Sequence, residues 1–263
     1  MTRQPTEQPV PVHITSRDNP LLKDLRRLAG DNVAYRKLGR VWVEGDHLCG
    51  AAVLRGITPD VAVYSESNWQ PALVKYGKFA FKNIVVPDRL FRDVSALESP
   101  ADVGFIIDIP VSQNIDLGAR TVILDRVQDT GNVGSILRSA AAFGFTQVLA
   151  LKGTAALWSS KVLRAGMGAH FGLQLMEELT LADIDGLTVP IYATSSHQGG
   201  WIQNQTLAQP CAWVMGHEGQ GVSESLQSRA AMMVRIGQPG GEESLNVAAA
   251  AAICLHASSI ATL

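Results

Sequence analysis

Between Arg120 and Leu151 the chain reads RTVILDRVQDTGNVGSILRSAAAFGFTQVLAL. Its first segment, RTVILDRV, holds a continuous apolar run with β-branched residues, the pattern of a strand covered on both faces. GNVGSILRSAAAFG follows as a helix that Gly144 ends. TQVLAL is a second strand. Strand, helix and strand at this spacing form a βαβ unit, whose strands lie parallel. Downstream the alternation continues. SSKVLRAGMGAHFGL is mostly helical, VPIYATSS and PCAWVMG are strands, VSESLQSRA is a helix, AMMVRIG a strand and SLNVAAAAAICLHASSI the last helix. The expected fold class is α/β, with a mostly parallel C-terminal sheet and helices on both faces.

Upstream, SRDNPLLKDLRRLAG opens with the cap-type residues Ser16, Asp18 and Asn19 and with Pro20 near a first helical turn, and then Leu21, Leu22, Leu25 and Leu28 recur at helical spacing. VWVEGDHLCGAAVLRG reads as a strand, a turn and a helix closing at Gly56. DVAVYSES is a strand, KNIVVPDRLFRDVS a strand and a helix, and DVGFIIDIP a strand. These elements predict a small α/β domain over 13–110, preceded by a disordered leader at 1–12. A polar linker at 111–118 separates it from a second domain at 119–263.

Hydrophobic residues make up 46% of the 263-residue chain and charged residues 17%, the balance of a soluble globular protein. The sequence holds no apolar stretch of the roughly 20 residues needed to span a bilayer, and the leader lacks the apolar core of a signal peptide. Cys49, Cys211 and Cys254 are odd in number and far apart, which suggests neither a disulfide framework nor a zinc site. A cytoplasmic location is expected. The net charge of −2 argues against nucleic-acid binding through bulk charge. Thr15–Arg40 departs from that balance, with seven bases (Arg17, Lys23, Arg26, Arg27, Arg36, Lys37 and Arg40) against three acids. Such a segment suits phosphate contact as well as it suits a solvated helix face.

Three loops lie at predicted strand ends in the second domain, where open α/β sheets bind ligands. They sit in DRVQDTGNVGSILRSA (Asp125–Ala140), MGHEGQG (Met215–Gly221) and RIGQPGGEESLNVAAAAAICL (Arg235–Leu255). The common nucleotide readings fail. GHEGQG runs G-x-x-G-x-G rather than G-x-G-x-x-G and puts Glu218 where a pyrophosphate would approach. Neither a phosphate-loop G-x-x-x-x-G-K-[ST] nor a G-x-S-x-G nucleophile elbow occurs. The six histidines lack metal-ligand spacing, and no metal is expected. The alanine run forms a good helix and admits close packing.

Together the loops resemble the three motifs of the SpoU-type (TrmH-like) RNA ribose 2′-O-methyltransferases of the SPOUT superfamily. The first motif is matched by Asn132 and Arg138, six residues apart. The second is matched by Gly216, Glu218, Gly219 and Gly221. The third is matched by Ile236, Gly240, Glu243, Ser244, Leu245, Asn246 and Val247. Two departures stand out: His217 replaces the usual Asn, and Gly237-Gln238 replaces Pro-Met. The resemblance reaches into the N-terminal part, which is similar to the family's substrate-binding domain.

The resemblance implies S-adenosylmethionine as methyl donor and a ribose 2′-hydroxyl of ribosomal or transfer RNA as acceptor. It also implies a deep trefoil knot, an exception to unknotted topology, and a homodimer formed through the knotted domain. By the same carry-over Thr194, Gly216, Ile236 and Leu245 line the donor pocket. Arg138, Asn132, Glu218, Ser244 and Asn246 form the catalytic set. Arg138 is the central residue; because a guanidinium loses its proton only above about pH 12, it is read as a phosphate binder and alkoxide stabiliser. Asn132 either fixes phosphate or ribose, or caps its helix. Glu218 orients Arg138 or Asn132, or is an exposed loop acid. Ser244 is the expected cap of the last helix, and Glu243 supports the loop. The basic residues of Thr15–Arg40 become an RNA-positioning arm. A non-catalytic RNA-binding relative is the alternative class.

Overall fold

The computed structural model describes residues 10–110, 114–240 and 244–260. Most of the expected leader, part of the linker, and Gly241 and Glu243 lie outside the described residues. In chain order the first elements are β1 (Val12–His13), α1 (Pro20–Gly30), α2 (Ala34–Leu38), β2 (Arg40–Glu44) and α3 (Asp46–Leu54). Next come β3 (Val61–Ser65), α4 (Trp69–Tyr76), β4 (Lys82–Val86), α5 (Asp88–Val94) and β5 (Val103–Asp108). Then follow β6 (Thr121–Asp125), α6 (Thr130–Ala142), β7 (Gln147–Leu151), α7 (Ser160–Gly166), β8 (Gln174–Leu179), α8 (Leu181–Ile184) and β9 (Ile191–Thr194). The last are β10 (Gly200–Trp201), β11 (Ala212–Gly216), α9 (Glu224–Gln227), β12 (Met232–Arg235) and α10 (Val247–Ile260).

Two compact units result. The first combines residues up to Val111 with Trp158–Phe171. Its sheet has the order β1-β4-β3-β5-β2; β1, β4 and β3 run parallel, and β5 is antiparallel to β3 and β2. Val12, inside the expected leader, already pairs with Ile84. Asn19 caps α1 by accepting from the Leu21 N–H at 3.0 Å, and Leu22, Leu25 and Leu28 form its buried face. Glu44 is buried at the end of β2, where it accepts hydrogen bonds from Ser95 and the Ala96 N–H. The segment SSKVLRAGMGAHF, expected to lie in the second domain, instead belongs to this unit. There α7 buries Val162 and Leu163 and packs on α1 and β2, and Arg164 donates to the Ala96 carbonyl. Its apolar face finds partners far away in sequence, so local pattern does not reveal the attachment.

The second unit holds a seven-stranded sheet in the order β10-β12-β9-β11-β6-β7-β8, with every pair parallel. The central strands β6, β7 and β11 are buried along their whole length, as parallel strands with both faces covered must be. Ile123, Leu149, Ala193, Val214, Val222 and Leu226 are among the residues of the core. α10 packs on α6 and against β11. A buried polar tie fixes that packing: the Trp213 indole N–H donates to the Ser258 hydroxyl at 2.7 Å, and Ser258 donates to the Cys254 carbonyl at 3.0 Å. Among the described residues no helix is long and apolar enough to cross a membrane.

Candidate active site at the strand ends

β6, β9, β11 and β12 are contiguous in the sheet and parallel, so their C-terminal ends lie along one edge. After β6 the chain turns through Arg126, a non-glycine residue at φ 60°. Its guanidinium bonds Asp125 at 3.0 Å and Gln220 at 2.9 Å, linking the first loop to the second. Asp129 then starts α6, its carboxylate accepting from the Asn132 N–H at 2.7 Å. Asn132 is therefore not the cap. It lies inside the first turn, with its side-chain amide free for other partners.

Glu218 supplies one of them. Its carboxylate accepts from the Gln128 N–H at 3.1 Å, the Asp129 N–H at 3.0 Å and the Asn132 amide Nδ2 at 3.1 Å. Partial burial raises the carboxyl pKa, but these hydrogen bonds outweigh it and hold the group below the usual glutamate value. Asn132 accepts in turn from Asn246 Nδ2 at 2.9 Å. The Asn246 side-chain oxygen accepts from the Ala248 and Ala249 N–H groups, at 2.9 and 3.2 Å. Asn246 thus caps α10, the role expected of Ser244. One hydrogen-bonded chain joins the loop before α6, the glycine loop and the start of α10.

The glycine loop is itself closed tightly. His217 and Gly221 exchange backbone hydrogen bonds at 2.8 and 3.1 Å. His217 Nδ1 also accepts from the Gly219 and Gln220 N–H groups, at 3.0 and 3.2 Å. An asparagine side-chain oxygen makes the same kind of turn, so the imidazole replaces that acceptor. Gly216 is required by close approach, since a Cβ there would sit 2.3 Å from the Gly221 carbonyl carbon. Gly221, at φ 67°, occupies the left-handed region that glycine tolerates.

The loops that follow β9, β11 and β12 enclose a cavity of about 600 Å³. Thr194, Gly216, Ile236 and Leu245 all line it, as do Glu218, Ser244 and Asn246. Asn132 and Arg138 are not among the lining residues; Asn132 meets the cavity wall through Glu218 and Asn246. Arg138 lies on the exposed stripe of α6, and its guanidinium makes no ion pair or hydrogen bond among the described residues. Of the two partners expected for Glu218, it bonds Asn132; no bond to Arg138 is made among the described residues. Sequence reasoning missed Asp129, although an Asp before a helical run is a start signal. It also missed Asp125, buried at the end of β6, whose carboxylate accepts from the Ser223 N–H at 2.7 Å. Ser195 to Gln198 also lie on the cavity wall, and Ser195 Oγ folds that turn by accepting from the His197 and Gln198 N–H groups.

A parallel sheet whose glycine-rich loops close around one cavity at the strand ends defines an α/β ligand-binding enzyme domain. Residues 119–256 match the SpoU rRNA Methylase family, and the chain belongs to that family. It is 28% identical over 247 residues to the 23S rRNA (guanosine(2553)-2'-O)-methyltransferase RlmP of Bacillus subtilis (strain 168), covering 92% of this chain and 97% of that protein. It is 41% identical over 219 residues to rRNA methyltransferase 3B, mitochondrial, of Danio rerio, with 76% of this chain but 48% of that protein covered. Among solved structures, the AdoMet-bound rRNA methyltransferase from Sinorhizobium meliloti is similar with a TM-score of 0.81 at 26% identity, covering 96% of this chain and 98% of that one.

Proposed function

We infer that this chain transfers a methyl group from S-adenosylmethionine to a ribose 2′-hydroxyl of structured RNA, with ribosomal RNA as the substrate class. Membership of the family supports the reaction. The ribosomal choice over transfer RNA rests on the relatives named above, each an rRNA methyltransferase. The observation that carries the reading is the Glu218–Asn132–Asn246 chain, which ties all three loops together beside one cavity of suitable size.

The cavity suits the donor. Its wall combines apolar Val234, Ile236 and Val247 with polar Ser195 and Gln238, beside the backbone of Gly216 and the glycine loop. Thr194, Gly216, Ile236 and Leu245 hold the donor, which supplies an electrophilic sulfonium methyl when bound. Arg138 binds the phosphate beside the target ribose and stabilises negative charge developing on the 2′-oxygen, while the hydroxyl proton leaves to solvent. Asn132 and Asn246, each fixed by its partner, hold the acceptor in line, and Ser244 adds a hydroxyl on the cavity rim. Positioning of this kind supplies a large part of the rate.

Three further elements belong to the proposal. The C-terminal segment is a trefoil knot; support comes from α10, which leaves β12 and packs on α6 and β11. The second unit dimerises through α10, which carries no Asp, Glu, Lys or Arg and exposes Ile253 and Ile260. The first unit positions RNA through Arg17, Lys23, Arg26, Arg27, Arg36, Lys37 and Arg40. A map of ribose methylation in ribosomal RNA from cells with and without the protein tests the function. A methyl mark lost with the gene is expected; an unchanged map, together with donor binding by the purified protein, would favour the non-catalytic relative.

A further inference from the structure

A second cavity of about 610 Å³ lies beside the first, sharing Ile236 and Gln238 with it. Trp201 of β10 lines this second cavity and is 41% exposed. An indole so exposed on an edge strand is unusual unless something covers it. Its neighbour in register is Arg235, whose guanidinium lies 4.1 Å from the ring centroid. Arg235 is pinned rather than neutralised. It donates to the Gly199 carbonyl at 2.9 Å and the His197 carbonyl at 3.5 Å, and no acid pairs with it among the described residues. None of the lining residues is acidic. Gln238 Oε1 is buried and accepts no hydrogen bond among the described residues, a condition that native proteins generally relieve with a partner. Gln203 adds a second carboxamide to the wall.

An aromatic plane, a fixed cation and carboxamides with donor and acceptor capacity are the groups by which proteins hold an unstacked nucleobase. We propose that the Trp201–Arg235–Gln238 groove takes a nucleobase of the substrate RNA, splayed out next to the ribose being methylated. The base stacks on the Trp201–Arg235 pair, its phosphate is drawn by Arg235, and a base N–H satisfies Gln238 Oε1. The shared wall sets the reach, because a nucleotide in this groove neighbours whatever occupies the first cavity. This proposal rests on the reading of the chain as an RNA methyltransferase.

The test uses the full-length protein and unmodified ribosomal RNA from cells lacking it. Trp201→Ala is expected to raise the KM for RNA roughly tenfold, the scale of one lost stacking contact, with kcat and calorimetric S-adenosylmethionine affinity within about twofold. Trp201→Phe should restore most of the loss, and Gln238→Met, which removes the acceptor at similar bulk, should cost less than Trp201→Ala. Ultraviolet cross-linking to a short mixed-sequence single-stranded RNA should label the peptide carrying Trp201. An unchanged KM in Trp201→Ala would overturn the proposal while leaving the methyltransferase reading intact. So would a loss of dimer by sedimentation in that variant, which would assign the groove to a second copy of the chain. If the wild-type protein methylates no ribosomal RNA yet cross-links through Trp201, and Trp201→Ala binds that RNA more weakly, the groove stands and the reaction reading falls.

Discussion

Glu218 in the second unit accepts three hydrogen bonds and passes the constraint through Asn132 to Asn246, whereas Arg17, Lys23 and Arg40 of the first unit each rest against a nearby acid. The first arrangement links loops far apart in sequence and fixes geometry before any ligand arrives. The second is a set of partly exposed pairs that water and salt weaken. Within the second unit Arg138 is exposed on α6 and makes no ion pair or hydrogen bond among the described residues. Its charge is therefore not neutralised by a neighbouring acid as those of Arg17, Lys23 and Arg40 are.

The sharpest way to break this contrast is Arg138→Ala. Removing a charge-stabilising donor is expected to lower kcat by about 10²–10³-fold. Donor affinity by calorimetry and thermal stability should stay at wild-type values, because Arg138 supports no other side chain. A variant that keeps full turnover on confirmed substrate would remove Arg138 from the mechanism.

Glu218→Gln comes next. The carboxamide has one acceptor oxygen in place of two and turns an N–H₂ toward backbone donors, so the first loop and the glycine loop separate. A fall of roughly tenfold in S-adenosylmethionine affinity is expected, the scale of one charge-assisted hydrogen bond. The pH dependence carries its own signature. The folded pKa of Glu218 is depressed, so its contribution to stability is fully present above the unfolded value of about 4.3 and is lost as pH falls through the folded value. Thermal melts in acid should therefore show a loss of stability in the wild type that is smaller in Glu218→Gln.

His217 offers a milder test. Its Nδ1 serves as acceptor for two loop N–H groups, and an asparagine oxygen can do the same. His217→Asn should keep donor affinity within about twofold, while His217→Ala, which leaves both N–H groups without that acceptor, should weaken it several-fold. Equal affinities in the two variants would show that the loop closes without a side-chain acceptor.

The βαβ unit of β6, α6 and β7 was legible because its two strands are buried from end to end and its helix ends at a glycine with positive φ. β8 was not. QLMEEL lies at the sheet edge, is only partly buried and contains Glu178 at φ 58°, so neither alternation nor an apolar run marks it. The short strands β1 and β10 are held by register with a neighbour rather than by their own composition. The cavity residues Thr194, Gly216, Ile236 and Leu245 were reached through the family resemblance; no periodicity links positions that follow three different strands, β9, β11 and β12. Ser244 and Asn246 show a finer limit. Both suit a helix cap, and only the observed start of α10 at Val247 decides for Asn246.

The smallest effects are expected in the basic arm, and they bear on the other side of the comparison. The guanidinium of Arg27 is exposed and makes no ion pair or hydrogen bond among the described residues, whereas Arg17 lies 3.1 Å from Asp93. If the arm contacts phosphates, Arg27→Ala should weaken RNA binding two- to fivefold at low salt. It should also lower the slope of log affinity against log salt by about one. Arg17→Ala should do less, because that guanidinium already has a carboxylate to satisfy it and must give up the pair to reach a phosphate. Filter binding to ribosomal RNA over a salt series measures both. Equal losses for the two variants would mean that the Arg17–Asp93 pair opens freely in solution, and that pairing in the first unit does not set which cations meet the RNA.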